Sequence, residues 1–138
     1  MDPLSAAASL LAFIHAAHIG IKGIQKFNAC RKAPKELDRF WTELESLEAL
    51  LESVRTFIDR NSSMTYCDIL STPVTLASER IHSVNQILHS PVFHLSSLSE
   101  ENKARLIWIR YKHRLTVLAE DIKSIKAELG LRLGLVTA

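Results

Sequence analysis

At 138 residues the chain is about one domain long, enough to bury roughly two-thirds of its unfolded surface. With 47% apolar and 23% charged residues and only 4 Gly and 4 Pro, the composition excludes a disordered chain and a sandwich of short, turn-punctuated strands. A net charge of +2 gives no bulk attraction to nucleic acid, and the only cysteines, Cys30 and Cys67, build no disulfide framework and are expected as reduced, intracellular thiols.

The chain opens on a helix signal, Asp2-Pro3: a capping carboxylate, then a proline that loses no hydrogen bond at the first helical position. The predicted helix runs through Leu4, Leu10, Leu11, Phe13, Ile14, Ile19, Ile21, Ile24 and Phe27 and frays near Asn28–Lys32. Pro34 opens a second helix whose apolar residues, Leu37, Phe40, Leu44, Leu47, Leu51, Val54 and Ile58, step alternately by three and four. Trp41, Leu50 and Phe57 widen that seam, and Asn61-Ser62-Ser63 ends it. Met64 to Ser71 is ambiguous and admits a helical turn. Thr72-Pro73 repeats the cap-then-proline signal and predicts a third helix over Val74, Ala77, Ile81, Val84 and Leu88, stopped by Ser90-Pro91. Ser99 caps the last helix, with Glu100 and Glu101 in its first turn; its seam is Trp108, Tyr111, Leu115, Leu118, Ile122, Ile125 and Leu129, and Gly130 and Gly134 loosen its end. The expectation is one all-α domain over 1–138, an antiparallel bundle of four long helices with room for an extra short one. The second and last helices are expected to form its spine.

No catalytic equipment stands out. There is no phosphate-binding glycine loop and no nucleophile elbow. His15 and His18 share a helix face at i, i+3 but have no acidic or cysteine neighbour in sequence, so they read as packed or partly exposed histidines. His89 and His94 flank a helix end beside Pro91 and read as turn residues. Cys67 and Asp68 with His82 imitate a nucleophilic pair without anything to fix its geometry. The carboxylates from Glu43 to Glu52 read as a solvated face. Lys103, Arg105, Arg110, Lys112 and Arg114 interleave with Trp108 and Tyr111, but both aromatics fall on the core seam, which argues against nucleic acid. Gly130 and Gly134 have helix-contact spacing, weakened by Arg132 between them. Neither enzyme activity nor a cofactor or metal is expected.

The first helix differs from the others. From Pro3 to Ile21 it carries no charge with histidine neutral, and at 1.5 Å per residue it is about 28 Å long, close to the hydrocarbon thickness of a bilayer. Its Ala and Ser content makes it a weak membrane segment. An all-round apolar helix is either buried centrally in a bundle or in lipid, and the same surface serves both. Lys22, Lys26, Arg31 and Lys32 follow directly, as in an interfacial anchor, although cations also suit a helix C-terminus. The N-terminus does not fit a secretory signal, since its only early charge is Asp2.

The opening Met1-Asp2-Pro3-Leu4-Ser5-Ala6-Ala7-Ala8-Ser9 resembles the start of the HeLo-like N-terminal domains of fungal NLR-like (STAND) receptors. Lys32-Ala33-Pro34-Lys35-Glu36-Leu37 resembles that family's junction into a leucine-rich second helix, here Leu44, Leu47, Leu50 and Leu51. Arg105-Leu106-Ile107-Trp108 with Lys112 and the stretch Leu115 to Leu129 resemble its final helix. The likeness covers nearly the whole chain, least well from Met64 to Leu98. It implies a helical bundle that acts in programmed cell death: cytoplasmic at rest, self-associating on activation, and then releasing its first helix into the plasma membrane. On that implication Leu4, Leu10, Leu11, Phe13, Ile14, Ile19 and Ile21 insert, while Lys22, Lys26, Arg31 and Lys32 contact anionic headgroups. Larger members of the family carry a nucleotide-binding oligomerisation module after this domain. The alternative from another class is a soluble adaptor bundle that binds partner proteins and never enters lipid.

Overall fold

The computed structural model describes residues 3–25, 35–88 and 99–138. They form four helices and, among the described residues, no strand: α1 (Pro3–Gln25), α2 (Lys35–Arg60), α3 (Met64–Leu88) and α4 (Glu100–Thr137). Around the bundle the order is α1, α3, α4, α2. The most extensive pairing is α1 with α3, while the consecutive helices α2 and α3 touch little. The expected spine of second and last helices is therefore corrected. Those two helices do pack together, but α1 and α3 share the more extensive contact, where Gly20 lets Ile81 and Asn85 of α3 come close.

The apolar seams form the core. On α2, Phe40, Leu44, Leu47, Leu51, Val54 and Ile58 are buried, with Trp41, Leu50 and Phe57 packed at the edge. On α4, Leu115, Leu118, Ile122, Ile125 and Leu129 are buried, with Tyr111 at the edge. The side chains of Leu4, Leu37, Leu88 and Trp108 lie outside the described residues, as do residues 26–34 and 89–98, including Lys26, Cys30, Arg31, Lys32, His89 and His94. Helix α4 begins at Ser99, whose hydroxyl accepts a hydrogen bond from Asn102 N at 3.2 Å. Helix α2 ends where expected, with Asn61 N donating to Phe57 O at 2.9 Å.

The third helix departs from expectation. It starts at Met64, where Ser63 O accepts from Cys67 N at 3.1 Å, and continues through Pro73 without a break. An interior proline removes one hydrogen bond and crowds the carbonyl four residues back, here that of Ile69. That carbonyl accepts from Arg132 Nη1 of α4 at 2.7 Å, and Arg132 also pairs with Glu128 at 2.6 Å. A donor from another helix thus satisfies the acceptor that the proline orphans, while Cys67, Leu70 and Val74 extend the buried seam across it. Thr72-Pro73 reads as a helix start only if this distant arginine is ignored.

Gly130 and Gly134 do not loosen the end of α4, which runs to Thr137; a Cβ added at either glycine meets nothing within 4 Å. Alanine at each site is expected to stabilise the bundle by about 0.8–1 kcal/mol, through helix propensity alone. A thermal melt of Gly130→Ala/Gly134→Ala checks this; the midpoint should rise by several degrees.

Candidate functional site

Among the described residues, each interface around the bundle carries at least one polar tie. Asn85 Nδ2 of α3 donates to Gly20 O of α1 at 3.1 Å. His18 Nε2 of α1 lies 3.4 Å from Glu52 Oε2 of α2. Glu43 of α2 pairs with Lys126 of α4 at 2.6 Å, and Arg80 of α3 with Asp121 of α4 at 3.1 Å. Ile69 meets Arg132, and eleven residues later Arg80 meets Asp121, eleven residues earlier, so α3 and α4 run antiparallel. The carboxylates from Glu43 to Glu52 are accordingly not a plain solvated face, because two of them reach across to neighbouring helices. Sequence spacing within α2 could not show this, since both partners come from other helices.

Helix α1 is not the central helix expected of an all-round apolar segment. Ala7, Leu10, Ile14, Ala17, Ile21 and Ile24 point into the core on the usual three-four rhythm, whereas Ala8, Ser9, Ala12, His15 and Ala16 face outward. Its second face is exposed, not buried, and consists of small residues with Phe13, His15 and Ile19 among them. Only 33% of the Ala6–Ile24 window is buried, yet that window has a mean hydropathy of 1.4 and is long and apolar enough to cross a membrane by length and composition. The predicted insertion set therefore splits. Leu10, Ile14 and Ile21 are core residues, Leu11 packs at the edge, and Phe13 and Ile19 are 41% and 58% exposed. The core members reach lipid only if α1 leaves the bundle.

Gly20 sets the approach of α1 to α3. A Cβ there would lie 2.5 Å from Ile81 Cγ2 and 3.1 Å from Asn85 Nδ2. Ile81 is buried and β-branched, so it has no easy rotamer of escape. The same Cβ would lie 3.8 Å from Ile81 Cβ, the separation found in disulfides. Gly23 is roomier, with only Asn85 Oδ1 at 3.4 Å. Gly20→Ala is thus expected to lose about 1–3 kcal/mol to overpacking, against roughly 1 kcal/mol gained in helix propensity, whereas Gly23→Ala is neutral or mildly stabilising. Urea denaturation should place the midpoint of Gly20→Ala below that of Gly23→Ala, and equal midpoints would disprove the close contact.

On the α2 side, a groove brings His15, His18 and Lys22 against Glu45, Glu48 and Glu52. His18 Nε2 and Glu48 Oε2 are buried there without a hydrogen bond. The Glu52 carboxyl is held below its ordinary range, first by its hydrogen bond from Arg55 and then by the charges of Arg55, His18 and Lys22. A lowered carboxylate stabilises the fold above its unfolded pKa and loses that effect as pH falls through the folded value. The exposed Arg55–Glu52 pair within α2 therefore persists at neutral pH and is lost only as pH falls below the ordinary carboxylate range. Lys22, assigned by the sequence to lipid headgroups, faces the carboxylates of α2 in this state.

Neither alternative chemistry acquires a site. Cys67 is buried, which pushes its thiol pKa up, and His82 stands fifteen residues along the same helix, about 22 Å away. Among the described residues no group of three or more His, Cys, Asp or Glu is placed to hold a metal ion.

Residues 1–131 match the family described as pigment biosynthesis cluster protein PigL N-terminal. The chain belongs to that family. The match names this fungal N-terminal domain, which is related to the HeLo-like domains that the opening residues resemble, and does not name that group itself. No significant match is found among curated proteins or among solved structures. For a PigL N-terminal domain, the features that position α1 were partly hidden in the sequence. Gly20 and Gly23 inside an otherwise regular helix were the one available signal of a close helix contact. Asn85 and the Glu48–Glu52 edge had no such signal.

Proposed function

We propose that this PigL N-terminal domain is a non-enzymatic, HeLo-like effector bundle that acts in programmed cell death by delivering α1 to the plasma membrane when copies cluster. The observation that carries the reading is the combination in α1: a span apolar and long enough for a bilayer, held in the bundle along one face only. Such a helix has two solvents open to it, and clustering shifts the balance toward lipid by placing several helices at one membrane site. In the resting cytoplasmic form, Asn85, the Gly20–Ile81 contact and the Glu48–Glu52 edge hold α1. In the active form, Leu4, Leu10, Leu11, Phe13, Ile14, Ile19 and Ile21 enter the hydrocarbon, and Lys22, Lys26, Arg31 and Lys32 meet anionic headgroups. A nucleotide-binding oligomerisation module is the natural source of clustering.

The test is dye leakage from phosphatidylserine-containing vesicles, with the chain fused to a trimerising coiled coil. Leakage should require the trimer. Phe13→Asp and Ile19→Asp replace half-exposed or exposed residues, so the resting fold should melt normally. Each places a carboxylate in the inserting span at a cost of about 3 kcal/mol, enough to lower leakage on the order of a hundredfold. Leakage that is independent of both substitutions would count against insertion of α1.

A further inference from the structure

Helix α4 is longer than the bundle needs. It has 38 residues, about 57 Å, against 23 to 26 in the other three helices. Among the described residues its buried seam runs from Leu115 to Leu129, with Tyr111, Leu133 and Val136 packed at its edges. Before that seam the helix presents Leu106 at 41% exposure and Ile109 at 75%, and Val117 at 45% continues the same outward stripe. On a helical wheel these three lie opposite Leu115 and Leu118. Arg110 and Arg114 border the stripe, and both are exposed. Between Glu101 and Glu120 the sequence contains no acidic residue.

We infer that this N-terminal half of α4 is a peripheral docking surface for an anionic lipid bilayer, used while α1 is still packed. An exposed aliphatic stripe bordered by arginines is the pattern of a helix lying in the headgroup layer. Its charge is complementary to an anionic leaflet. Single-stranded nucleic acid fits the same charges less well. Base stacking needs exposed rings, but Tyr111 is packed against the core with Arg110 over it at 5.6 Å, and among the described residues the exposed apolar side chains of this half are aliphatic. Docking through α4 brings the resting bundle to the membrane and leaves α1 for a later, separate step. The inference shares only the lipid target with the proposed function, so the two can fail independently.

The experiment uses the whole chain locked by Gly20→Cys/Ile81→Cys, with Cys30→Ser and Cys67→Ala, so that α1 cannot leave. Co-sedimentation is measured with phosphatidylcholine vesicles and with vesicles containing phosphatidylserine, at low and high salt. The locked chain should bind only the anionic vesicles, release them at high salt, and cause no leakage. Arg110→Ala/Arg114→Ala should weaken binding on the order of tenfold or more. Leu106→Asp/Ile109→Asp should weaken it comparably. Both pairs replace exposed residues, and circular dichroism confirms that each variant stays folded. Binding that neither pair alters would overturn the proposal, as would no binding by the locked chain. Preferential capture of a single-stranded oligonucleotide, or salt-insensitive self-association without vesicle binding, would also overturn it. If the locked chain docks but unlocked trimers never cause leakage, this surface stands and the release of α1 fails.

Discussion

Replacing Leu47 by aspartate is expected to unfold the domain. Leu47 has no exposed surface and sits midway along the α2 seam, between Leu44 and Leu51. Both helices that neighbour α2, α1 and α4, present apolar side chains to this seam. A carboxylate at this depth has neither water nor a cation to pair with, and its burial costs several kcal/mol, most of the stability of a domain this size. Leu118→Asp on α4 should be milder, because Leu118 retains 7% exposure and lies near the rim with Asp121 and Arg80. Circular dichroism melting separates the two: loss of the cooperative transition for Leu47→Asp, and a lowered but cooperative transition for Leu118→Asp. A native melt for Leu47→Asp would mean that α2 is not packed as described.

The fold was legible because it is written in spacing. Three-four periodicity on α2 and α4 marks a buried face whatever the partner helix, and Phe40 to Ile58 and Leu115 to Leu129 fall where it puts them. The capping serine at 99 acts locally and was legible for the same reason. What could not be read depends on a second helix. Pro73 sits inside α3 where Arg132, far along the chain, donates to the Ile69 carbonyl that the proline leaves without its helical partner. The carboxylates of α2 acquire meaning only when α1 brings His18 beside Glu52 and α4 brings Lys126 beside Glu43. The candidate site was half legible. Hydropathy identified α1, but its division into a core face and a small-residue outer face follows from its neighbours. Phe13 and Ile14 are adjacent in sequence, yet one is half-exposed and the other is fully buried.

If α1 enters the membrane as proposed, it must first leave its seat on α3. The seat offers a direct control, because cysteines at positions 20 and 81 have the Cβ separation of a disulfide, 3.8 Å. The pair also removes the Ile81 methyl that a Cβ at position 20 would strike. With Cys30→Ser and Cys67→Ala, oxidation leaves one covalent lock between α1 and α3, and dithiothreitol opens it. The measurement is leakage of dye from phosphatidylserine-containing vesicles by trimerised chain, first oxidised and then reduced in the same cuvette. The oxidised protein should be silent and should leak on reduction, at a rate near that of the unlocked trimer. Equal leakage in both states would contradict this, since a helix held on α3 cannot cross a bilayer. Silence in both states, with the unlocked trimer equally silent, would leave the soluble adaptor as the function of this bundle.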